Sequence, residues 1–262
     1  MITSAANPRI KQIRALSRRK EREATGLCVA EGIFQAGEAL AWGDVVYLVY
    51  APELLASEFG RQLIETAEAN NTPTVAVSAA VMTSIADRDN PQGILAVVRY
   101  RAIQLGALQA ATHPWLVALV APQDPGNLGS ILRTVDAVGA SGLLLLDGGV
   151  DACHPAAIRA AMGTVFRLPV ATTSFDEFAA WADAQGYRVY GTSARGHTDY
   201  RLPAYAPPLV LLMGSEREGL SAAQLARCDD VLHLPMHGRA GSLNLAVATG
   251  IFLYAIHSHL NG

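Results

Sequence analysis

The sequence contains no apolar run of about 18 residues, the length that a bilayer-crossing helix needs. Its N-terminus is polar and basic where a signal peptide would be apolar, so we expect a cytoplasmic protein. Cysteine is scarce, because Cys28, Cys153 and Cys228 are the only three and lie far apart. That number and spacing fit neither a disulfide framework nor a zinc cluster, and we interpret the three as buried thiols.

Several motifs of nucleotide-binding and hydrolytic enzymes are also absent. No stretch reads G-x-x-x-x-G-K-S/T, which excludes a P-loop. No G-x-G-x-x-G follows a strand and no G-x-S-x-G occurs, which argues against a dinucleotide-binding domain and an α/β-hydrolase. His233 and His237 are four residues apart, but Pro235 between them prevents a helical pair of metal ligands. We therefore expect no metal site.

The composition that is present is that of a folded protein, with 262 residues of which 51% are apolar and 16% charged. A formal net charge of −3 hides an asymmetry, because the first 23 residues carry seven cations against Glu21 and Glu23. The segment is either a solvated helix face or an arm that contacts the phosphates of a nucleic acid. The seven cations are Arg9, Lys11, Arg14, Arg18, Arg19, Lys20 and Arg22.

Short β-type runs alternate with helical stretches along the chain, which predicts an α/β protein with parallel sheets covered by helices. We expect a small domain over 1–100, a linker without strands over 101–114 and a second domain over 115–262. Strands are predicted at Leu27–Ala30, Val45–Tyr50, Thr74–Val77, Ile94–Val98, Trp115–Val120, Leu143–Leu146, Tyr187–Gly191, Leu209–Met213 and Val231–Leu234. Helices are predicted at Phe34–Trp42, Phe59–Ala69, Ala79–Ala86, Leu128–Val138, His154–Met162, Ser174–Gln185, Leu220–Arg227 and from near Ser242 onward.

Three segments of unusual polar and glycine content each follow a predicted strand of the second domain. They are PGNLGSILR over 125–133, GSEREGL over 214–220 and LPMHGRAGSLN over 234–244. Ligands of open α/β sheets bind outside the carboxyl ends of the strands, so these segments are candidates for a site. Each segment also has a purely structural explanation. Asn127 and Ser242 could cap the helices that follow them. Arg133 could be a solvated side chain, and 214–220 could be an ordinary strand-to-helix turn.

In chain order the segments read N-x-G-x-x-x-R, G-x-E-x-x-G-L and L-P-M-x-G-x-x-x-S-L-N. They resemble the three motifs of the SpoU (TrmH-type) RNA ribose 2′-O-methyltransferases of the SPOUT superfamily. Residues 154–170 are similar to that family's arginine- and glycine-containing segment, with Ala161 where serine is expected. In the first domain Asn7–Lys11, Glu31-Gly32 and Gln92–Ile94 resemble the family's accessory substrate-binding domain, which is similar to a large-subunit ribosomal protein.

The resemblance implies a fold and a cofactor. The fold is a parallel sheet whose C-terminal segment forms a deep trefoil knot, with S-adenosylmethionine bound in the knot largely through backbone groups. The resemblance also implies that the methyl acceptor is a ribose 2′-hydroxyl of structured RNA. Because the first domain resembles a ribosomal protein, we expect that RNA to be large-subunit rRNA. By motif, the residues that would contact the cofactor are Thr192, Gly214, Leu234, Met236 and Leu243.

The same resemblance implies that Arg133 is the catalytic residue. It also implies that the rest of the polar site consists of Asn127, Glu216, Ser242 and Asn244. Arginine is not expected to lose its proton in a protein. Arg133 would therefore orient a phosphate or stabilise oxyanion charge, with the proton leaving through phosphate or water. Alternative functions are a noncatalytic RNA-binding protein with this fold, a methyltransferase acting on tRNA, and a nucleotide-dependent small-molecule enzyme.

The last helix has an apolar stripe for which two explanations are open. The stripe could be buried within the subunit, or it could form part of a homodimer interface, since its small residues permit close helix approach. The family resemblance favours the homodimer. The stripe consists of Leu243, Ala246, Val247, Gly250, Leu253 and Ile256.

Overall fold

The computed structural model describes residues 1–262 as eleven strands, ten α-helices and two short 3₁₀ helices. The strands are β1 (Leu27–Glu31), β2 (Asp44–Tyr50), β3 (Thr74–Ala76), β4 (Ile94–Arg99), β5 (Trp115–Val120), β6 (Gly142–Leu146), β7 (Val170–Thr173), β8 (Arg188–Thr192), β9 (Thr198–Asp199), β10 (Leu209–Met213) and β11 (Asp230–His233). The α-helices are α1 (Pro8–Ala15), α2 (Arg19–Thr25), α3 (Ile33–Trp42), α4 (Glu58–Ala69), α5 (Ala79–Ile85), α6 (Pro125–Ala137), α7 (Pro155–Ala160), α8 (Phe175–Gln185), α9 (Ala222–Leu225) and α10 (Leu245–Asn261). The 3₁₀ helices are Leu105–Ala107 and Thr164–Phe166.

The chain forms two compact units. The N-terminal unit comprises Met1–Arg101 together with Asp151–Arg167, and the C-terminal unit comprises Ala102–Val150 together with Leu168–Gly262. The segment 151–167 therefore differs from the expected division, which placed it in the domain over 115–262. The physical reason is that α7 packs against β1 and buries Ala157 and Ile158 in the N-terminal unit.

The N-terminal unit is built on a four-stranded mixed sheet in the order β1-β4-β2-β3. β4 is antiparallel to both β1 and β2, while β2 and β3 are parallel. The expectation of parallel sheets only is therefore wrong for this unit, because alternation of strands and helices does not fix the direction in which a strand enters the sheet. Residues 94–98 of β4 are all buried, as its interior place in the sheet requires.

The basic N-terminal segment forms α1 and α2. Asn7 caps α1 by accepting from the Arg9 N–H at 3.0 Å, and Pro8 occupies the first helical position. One face of the segment is apolar, and Ile10, Ile13 and Leu16 are buried in the core of the N-terminal unit. The segment is thus a pair of packed helices and not a free arm.

Arg22 is buried, which corrects its assignment to the RNA-binding cations. Its guanidinium donates to the Leu16 and Ser17 carbonyls at 2.9 and 2.8 Å and to both oxygens of Asp151, the shorter bond being 2.7 Å. A buried charge of this kind is retained only where it is paired and hydrogen-bonded. Arg22 therefore ties the N-terminal helices to Asp151, and its charge is compensated within the unit.

The C-terminal unit contains a seven-stranded parallel sheet in the order β7-β6-β5-β10-β8-β11-β9. The predicted parallel α/β sheet is confirmed for this unit. β5, β6 and β10 are buried along their whole length, because strands inside a parallel sheet are covered on both faces. The edge strands β7 and β9 were not predicted, since neither contains a long apolar run.

The final helix, α10, has 17 residues, and neither it nor any other helix is long and apolar enough to cross a membrane. Leu253 and Ile256 of the predicted stripe are buried within the subunit. Val247 and Tyr254, seven residues apart on one helix face, are each 53% exposed. Burial in the subunit thus accounts for part of the stripe and leaves a second apolar face uncovered.

All three cysteines are free thiols. Cys28 and Cys153 are buried and Cys228 is half-buried. Burial raises the pKa of Cys228 to about 11, and it also raises the pKa of Cys153 well above its usual value. The interpretation of Cys28 and Cys153 as buried thiols is confirmed.

Candidate active site

The three motif segments all begin at the same edge of the C-terminal sheet. Residues 125–133 lie beyond the end of β5, 214–220 follow β10 and 234–244 follow β11. In the sheet order these strands lie within four neighbouring positions, β5-β10-β8-β11. Because every strand is parallel, their carboxyl ends meet at one edge, and this brings the segments together.

Glu216 is the centre of this arrangement. Its carboxylate accepts from the Gln123 N–H at 3.0 and 3.2 Å and from the Asp124 N–H at 3.3 Å. These two N–H groups directly precede α6, where the partial positive charge of the helix N-terminus favours an anion. Glu216 also accepts from the Asn127 amide at 3.4 Å, so the segment after β10 is fixed to the segment after β5.

Asn127 connects this pair to the third segment. Its side-chain carbonyl accepts from the Asn244 amide at 2.9 Å. The helix-capping explanation for Asn127 is wrong, because the N-cap of α6 is Asp124, whose carboxylate accepts from the Asn127 backbone N–H at 2.7 Å. Capping by Asp124 leaves the Asn127 side chain available to Glu216 and Asn244.

Asn244, and not Ser242, is the N-cap of α10. Its side-chain oxygen accepts from the Ala246 and Val247 N–H groups at 2.9 and 3.3 Å. Ser242 is exposed, and its hydroxyl has no hydrogen-bond partner within the chain. The Ser-x-Asn pair therefore contains one residue that holds the helix and one whose hydroxyl is free to contact a ligand.

The turn after β5 is strained. Ala121 has a φ of +42°, a region that side-chain-bearing residues rarely adopt. The turn is held by a hydrogen bond from the Val150 N–H to the Pro122 carbonyl at 2.8 Å. Gly149 permits this approach, because a Cβ there would lie 2.3 Å from the Pro122 oxygen. Strain held in this way is common beside functional sites.

Gly214 follows β10 at a place where no side chain fits. A Cβ there would lie 2.2 Å from the Gly219 carbonyl carbon and 2.4 Å from the Leu220 nitrogen. The turn from Ser215 to Gly219 closes through two backbone hydrogen bonds, at 3.0 and 3.3 Å. The backbone therefore folds tightly back on itself at the sheet edge, and only glycine permits this.

The other predicted cofactor residues lie at this edge or in the loop that follows it. Thr192 ends β8, is buried and donates its hydroxyl to the Leu212 carbonyl at 3.1 Å. Leu234 and Met236 follow β11 and are half-buried, and Leu243 is 39% exposed. Because β10, β8 and β11 are adjacent, Gly214, Thr192 and Leu234 share one sheet edge, which combines apolar side chains with strand-end backbone.

Arg133 lies on α6 and is exposed. Its guanidinium makes no hydrogen bond or ion pair within the chain. An arginine is charged at any physiological pH, so this side chain presents an uncompensated cation. The structure gives it no role in holding the fold.

Two residues of this region were missed by sequence reasoning. Asp124 holds the start of α6, and the signal for it was available, since Asp before Pro is a common start of a helix. Gly196 follows β8, and a Cβ there would lie 2.6 Å from the Leu232 oxygen. Nothing short of the fold reveals that the loop after β8 lies against β11.

Six of the seven cations of the N-terminal helices are exposed. Arg18 and Arg19 pair with Glu21 and Glu23 at 3.3 and 2.7 Å. Exposed pairs of this kind contribute little and exchange readily with other anions. Lys11 and Lys20 have no ion pair. The six cations other than Arg22 therefore give α1 and α2 a basic surface. The exposed six are Arg9, Lys11, Arg14, Arg18, Arg19 and Lys20.

Comparison with known families matches both units. The model of the SpoU rRNA methylase family matches residues 114–254, and that of the MRM3-like substrate binding domain matches residues 7–96. Among curated proteins, the chain is 32% identical to the 23S rRNA (guanosine(2553)-2′-O)-methyltransferase RlmP of Bacillus subtilis, over 100% of this chain and 99% of that protein. It is 30% identical to the 23S rRNA (uridine(2479)-2′-O)-methyltransferase of Streptomyces viridochromogenes, over 99% and 93%.

Solved structures give the same result. The AdoMet-bound rRNA methyltransferase from Sinorhizobium meliloti superposes with a TM-score of 0.90 at 36% identity, covering 100% of this chain and 98% of that one. The SpoU methyltransferase AviRb from Streptomyces viridochromogenes in complex with AdoMet superposes with a TM-score of 0.88 at 29% identity, covering 98% and 99%. These similarities extend over both units of the chain.

The network predicts different effects for the two polar residues that precede α10. Asn244→Ala should lower the free energy of unfolding by about 1–2 kcal/mol, because it removes the helix cap and the bond to Asn127. Ser242→Ala should leave stability unchanged, since its hydroxyl has no partner in the chain. Urea unfolding of the two variants measures both effects, and equal stabilities would contradict the assignment of Asn244 as the cap.

Proposed function

The chain belongs to the SpoU rRNA methylase family, and we propose that it transfers a methyl group from S-adenosylmethionine to a ribose 2′-hydroxyl of 23S rRNA. One observation carries the proposal: the Asn127 side chain bonds to both Glu216 and Asn244, which joins the three motif segments at one sheet edge. Relatives that share both units act on 23S rRNA, at a guanosine in one case and a uridine in the other. The family therefore supports the reaction and the RNA, whereas the target nucleotide differs among its members.

S-adenosylmethionine fits the edge formed by Thr192, Gly214, Leu234, Met236 and Leu243. The tight turn that Gly214 permits sets strand-end backbone at this edge, and such backbone can hydrogen-bond the polar edge of a purine. Half-buried Leu234 and Met236 offer apolar surface to its rings. When bound, the cofactor supplies an electrophilic methyl group on a sulfonium. AdoMet-bound structures of two similar proteins support this assignment.

The five polar residues divide into two kinds by their contacts. Asn127, Glu216 and Asn244 are hydrogen-bonded to one another or to backbone, and we assign them to holding the three loops in place. Arg133 and Ser242 have no partner in the chain and are free to contact RNA. Arg133 binds a phosphate beside the acceptor ribose and stabilises developing negative charge, while the hydroxyl proton leaves to phosphate or water.

Arg133→Ala should lower methyl transfer by about 100-fold or more, because it removes the only unpaired cation of motif 125–133. The affinity for S-adenosylmethionine should stay nearly unchanged, since its proposed ligands are on other segments. Transfer of tritiated methyl groups into rRNA and calorimetric titration with S-adenosylmethionine measure the two effects. Arg227→Ala, which removes a surface arginine paired with Asp183, is the matched control. Near-normal turnover of Arg133→Ala would exclude a catalytic role.

We further propose that the C-terminal segment of the sheet is knotted, as in the resembling family. The support is that β11 pairs with β8 and β9 while the loop after β8 lies against β11, with Gly196 at the contact. Single-molecule extension from both termini is the measurement, since a knotted chain releases less than its full contour length.

We propose a homodimer that uses the uncovered face of α10. Val247 and Tyr254 are each 53% exposed on that face, with Ile251 half-buried between them. An exposed apolar stripe on a long helix is typical of a surface covered by a partner, and a twofold axis would pair the stripe with itself.

Val247→Glu with Tyr254→Glu should convert the dimer to a monomer, because a charge would be buried at each copy of the stripe. Light scattering should give twice 27.7 kDa for the unaltered protein and 27.7 kDa for the double variant. Leu202→Glu, at a residue 76% exposed on another loop, is the control and should remain dimeric. A monomeric mass for the unaltered protein at micromolar concentration would refute the proposal.

The exposed cations of α1 and α2 are proposed to contact rRNA phosphates. Deleting 1–23 is a poor test, because Ile10, Ile13 and Leu16 belong to the core. Lys11→Ala with Lys20→Ala should instead weaken rRNA binding and reduce the slope of log affinity against log salt by about 2. Arg61→Ala with Arg99→Ala removes equal charge outside the segment and should leave the slope unchanged. An unaltered slope for the lysine variant would show that the segment is only a solvated surface.

Because the proposed substrate is ribosomal RNA, we also propose that the protein is cytoplasmic.

A further inference from the structure

The C-terminal unit contains seven arginines and no lysine, and the arginines fall into two groups by their contacts. Three are engaged within the chain, two of them in ion pairs with aspartates and one over an aromatic ring. These three are Arg201 with Asp199, Arg227 with Asp183, and Arg188 with its guanidinium 5.3 Å from the centre of the Tyr190 ring. The other four are exposed, and their guanidinium groups make no hydrogen bond or ion pair within the chain. These four are Arg133, Arg195, Arg217 and Arg239.

The unengaged arginines are concentrated at the carboxyl edge of the sheet. Arg217 comes four residues after β10, Arg195 three residues after β8 and Arg239 six residues after β11. These strands are adjacent and parallel, so their ends span about 10 Å. Two of the engaged arginines lie toward the opposite edge, since Arg188 begins β8 and Arg227 precedes β11. The free positive charge of the unit therefore lies beside the candidate active site.

Two of the free arginines lie on turns that hydrogen bonds close. In the turn 193–196 the Gly196 N–H donates to the Ser193 carbonyl at 3.0 Å, and the Arg195 N–H donates to the Ser193 hydroxyl at 3.1 Å. Arg217 lies within the turn 215–219, which two backbone hydrogen bonds close. The backbone beneath both side chains is thus fixed before a ligand binds, which lowers the entropic cost of binding.

Most carboxylates of this edge are engaged and do not neutralise these arginines. Glu216 and Asp124 accept N–H groups at the start of α6, and Asp147 accepts the N–H of the first residue of α8 at 2.8 Å. Glu218 is exposed and has no partner, so one free carboxylate stands against four free guanidinium groups. Acidic residues outnumber arginines in the unit as a whole, so composition does not explain this local excess.

We propose that Arg195, Arg217 and Arg239 bind successive phosphates of the RNA strand that carries the acceptor ribose. The planar guanidinium group donates two parallel hydrogen bonds to a phosphate, which fixes direction as well as position. Phosphate contacts set the register of a nucleic acid without reading its sequence. The three arginines therefore hold the strand along the sheet edge while Arg133 acts beside the ribose.

This inference rests on the proposed function, since it assumes an RNA substrate at this edge. It adds to that function the loop after β8, which belongs to none of the three motif segments. It also assigns a role to Arg217 and Arg239, two motif-segment residues that neither hold the fold nor contact the proposed cofactor edge in the assignments above.

The test uses the full-length protein and a 23S rRNA transcript, with filter binding over a range of salt concentrations. Arg195→Gln with Arg217→Gln and Arg239→Gln should reduce the slope of log affinity against log salt by about 3, because three phosphate contacts are lost. The KM for the transcript should rise by about tenfold or more for the same reason. The affinity for S-adenosylmethionine, measured by calorimetry, should stay unchanged.

The matched control removes the same charge from the three engaged arginines of the same unit. Arg188→Gln with Arg201→Gln and Arg227→Gln should leave the salt slope unchanged, since these side chains are occupied within the chain. An equal reduction in both triple variants would overturn the inference, because total charge would then explain the effect.

Single variants keep the test decisive if the triple variant does not fold. Each of the three substitutions alone should reduce the slope by about 1. An unaltered slope in the triple variant, or in all three single variants, would overturn the inference. Weaker S-adenosylmethionine binding with an unaltered slope would also overturn it, because the arginines would then serve the cofactor.

The outcomes for the inference and for the proposed function are separable. If the unaltered protein methylates rRNA but the slope does not respond to the substitutions, only the arginine inference falls. If the slope responds as expected but the unaltered protein transfers no methyl group to rRNA, the proposed function falls and the phosphate-binding edge stands.

Discussion

The geometry of the candidate active site depends on the hydrogen bonds of the Glu216 carboxylate. It accepts two backbone N–H groups at the start of α6 and the amide of Asn127, so one side chain fixes the loop after β10 to the loop after β5. Asn127 extends the connection to Asn244 and thereby to the start of α10. Without the carboxylate, the N–H groups of residues 123 and 124 would be unpaired, and the loop after β10 would lose its side-chain link to the loop after β5.

This dependence separates two roles that a motif alone does not distinguish. Residues engaged in the network hold loops, and their substitution affects stability as well as activity. Arg133 and Ser242 make no hydrogen bond or ion pair within the chain, which is why we propose that they contact ligands. Hydrogen bonds of the fold therefore divide the motif residues into those engaged within the chain and those left unengaged.

Much of the fold was predictable because its strands are apolar runs. β5 and β10 begin and end where the sequence predicted, since central parallel strands are buried on both faces and contain no polar residue. Short or edge strands such as β7 were missed, because half-exposed strands carry mixed residues. The direction of β4 was beyond prediction, as it depends on a pairing between strands more than 60 residues apart.

The sequence predicted which segments lie at the edge of the sheet but not the contacts among them. Spacing placed Asn127, Glu216 and Asn244 after strands, whereas the bonds among them join positions about 90 to 120 residues apart. The burial of Arg22 could not be foreseen either, because its partner Asp151 is 129 residues away. Charge alone placed Arg22 with its exposed neighbours, and only tertiary packing separates them.

The return of residues 151–167 to the N-terminal unit has a consequence for the order of events during synthesis. Domains commonly fold as they leave the ribosome, beginning with the N-terminal one. Here the partner of Arg22, Asp151, and the helix that covers β1, α7, are made only after β5 and β6 of the C-terminal unit. We therefore expect the N-terminal unit to complete its packing only after synthesis has passed residue 167, with Arg22 still exposed until then.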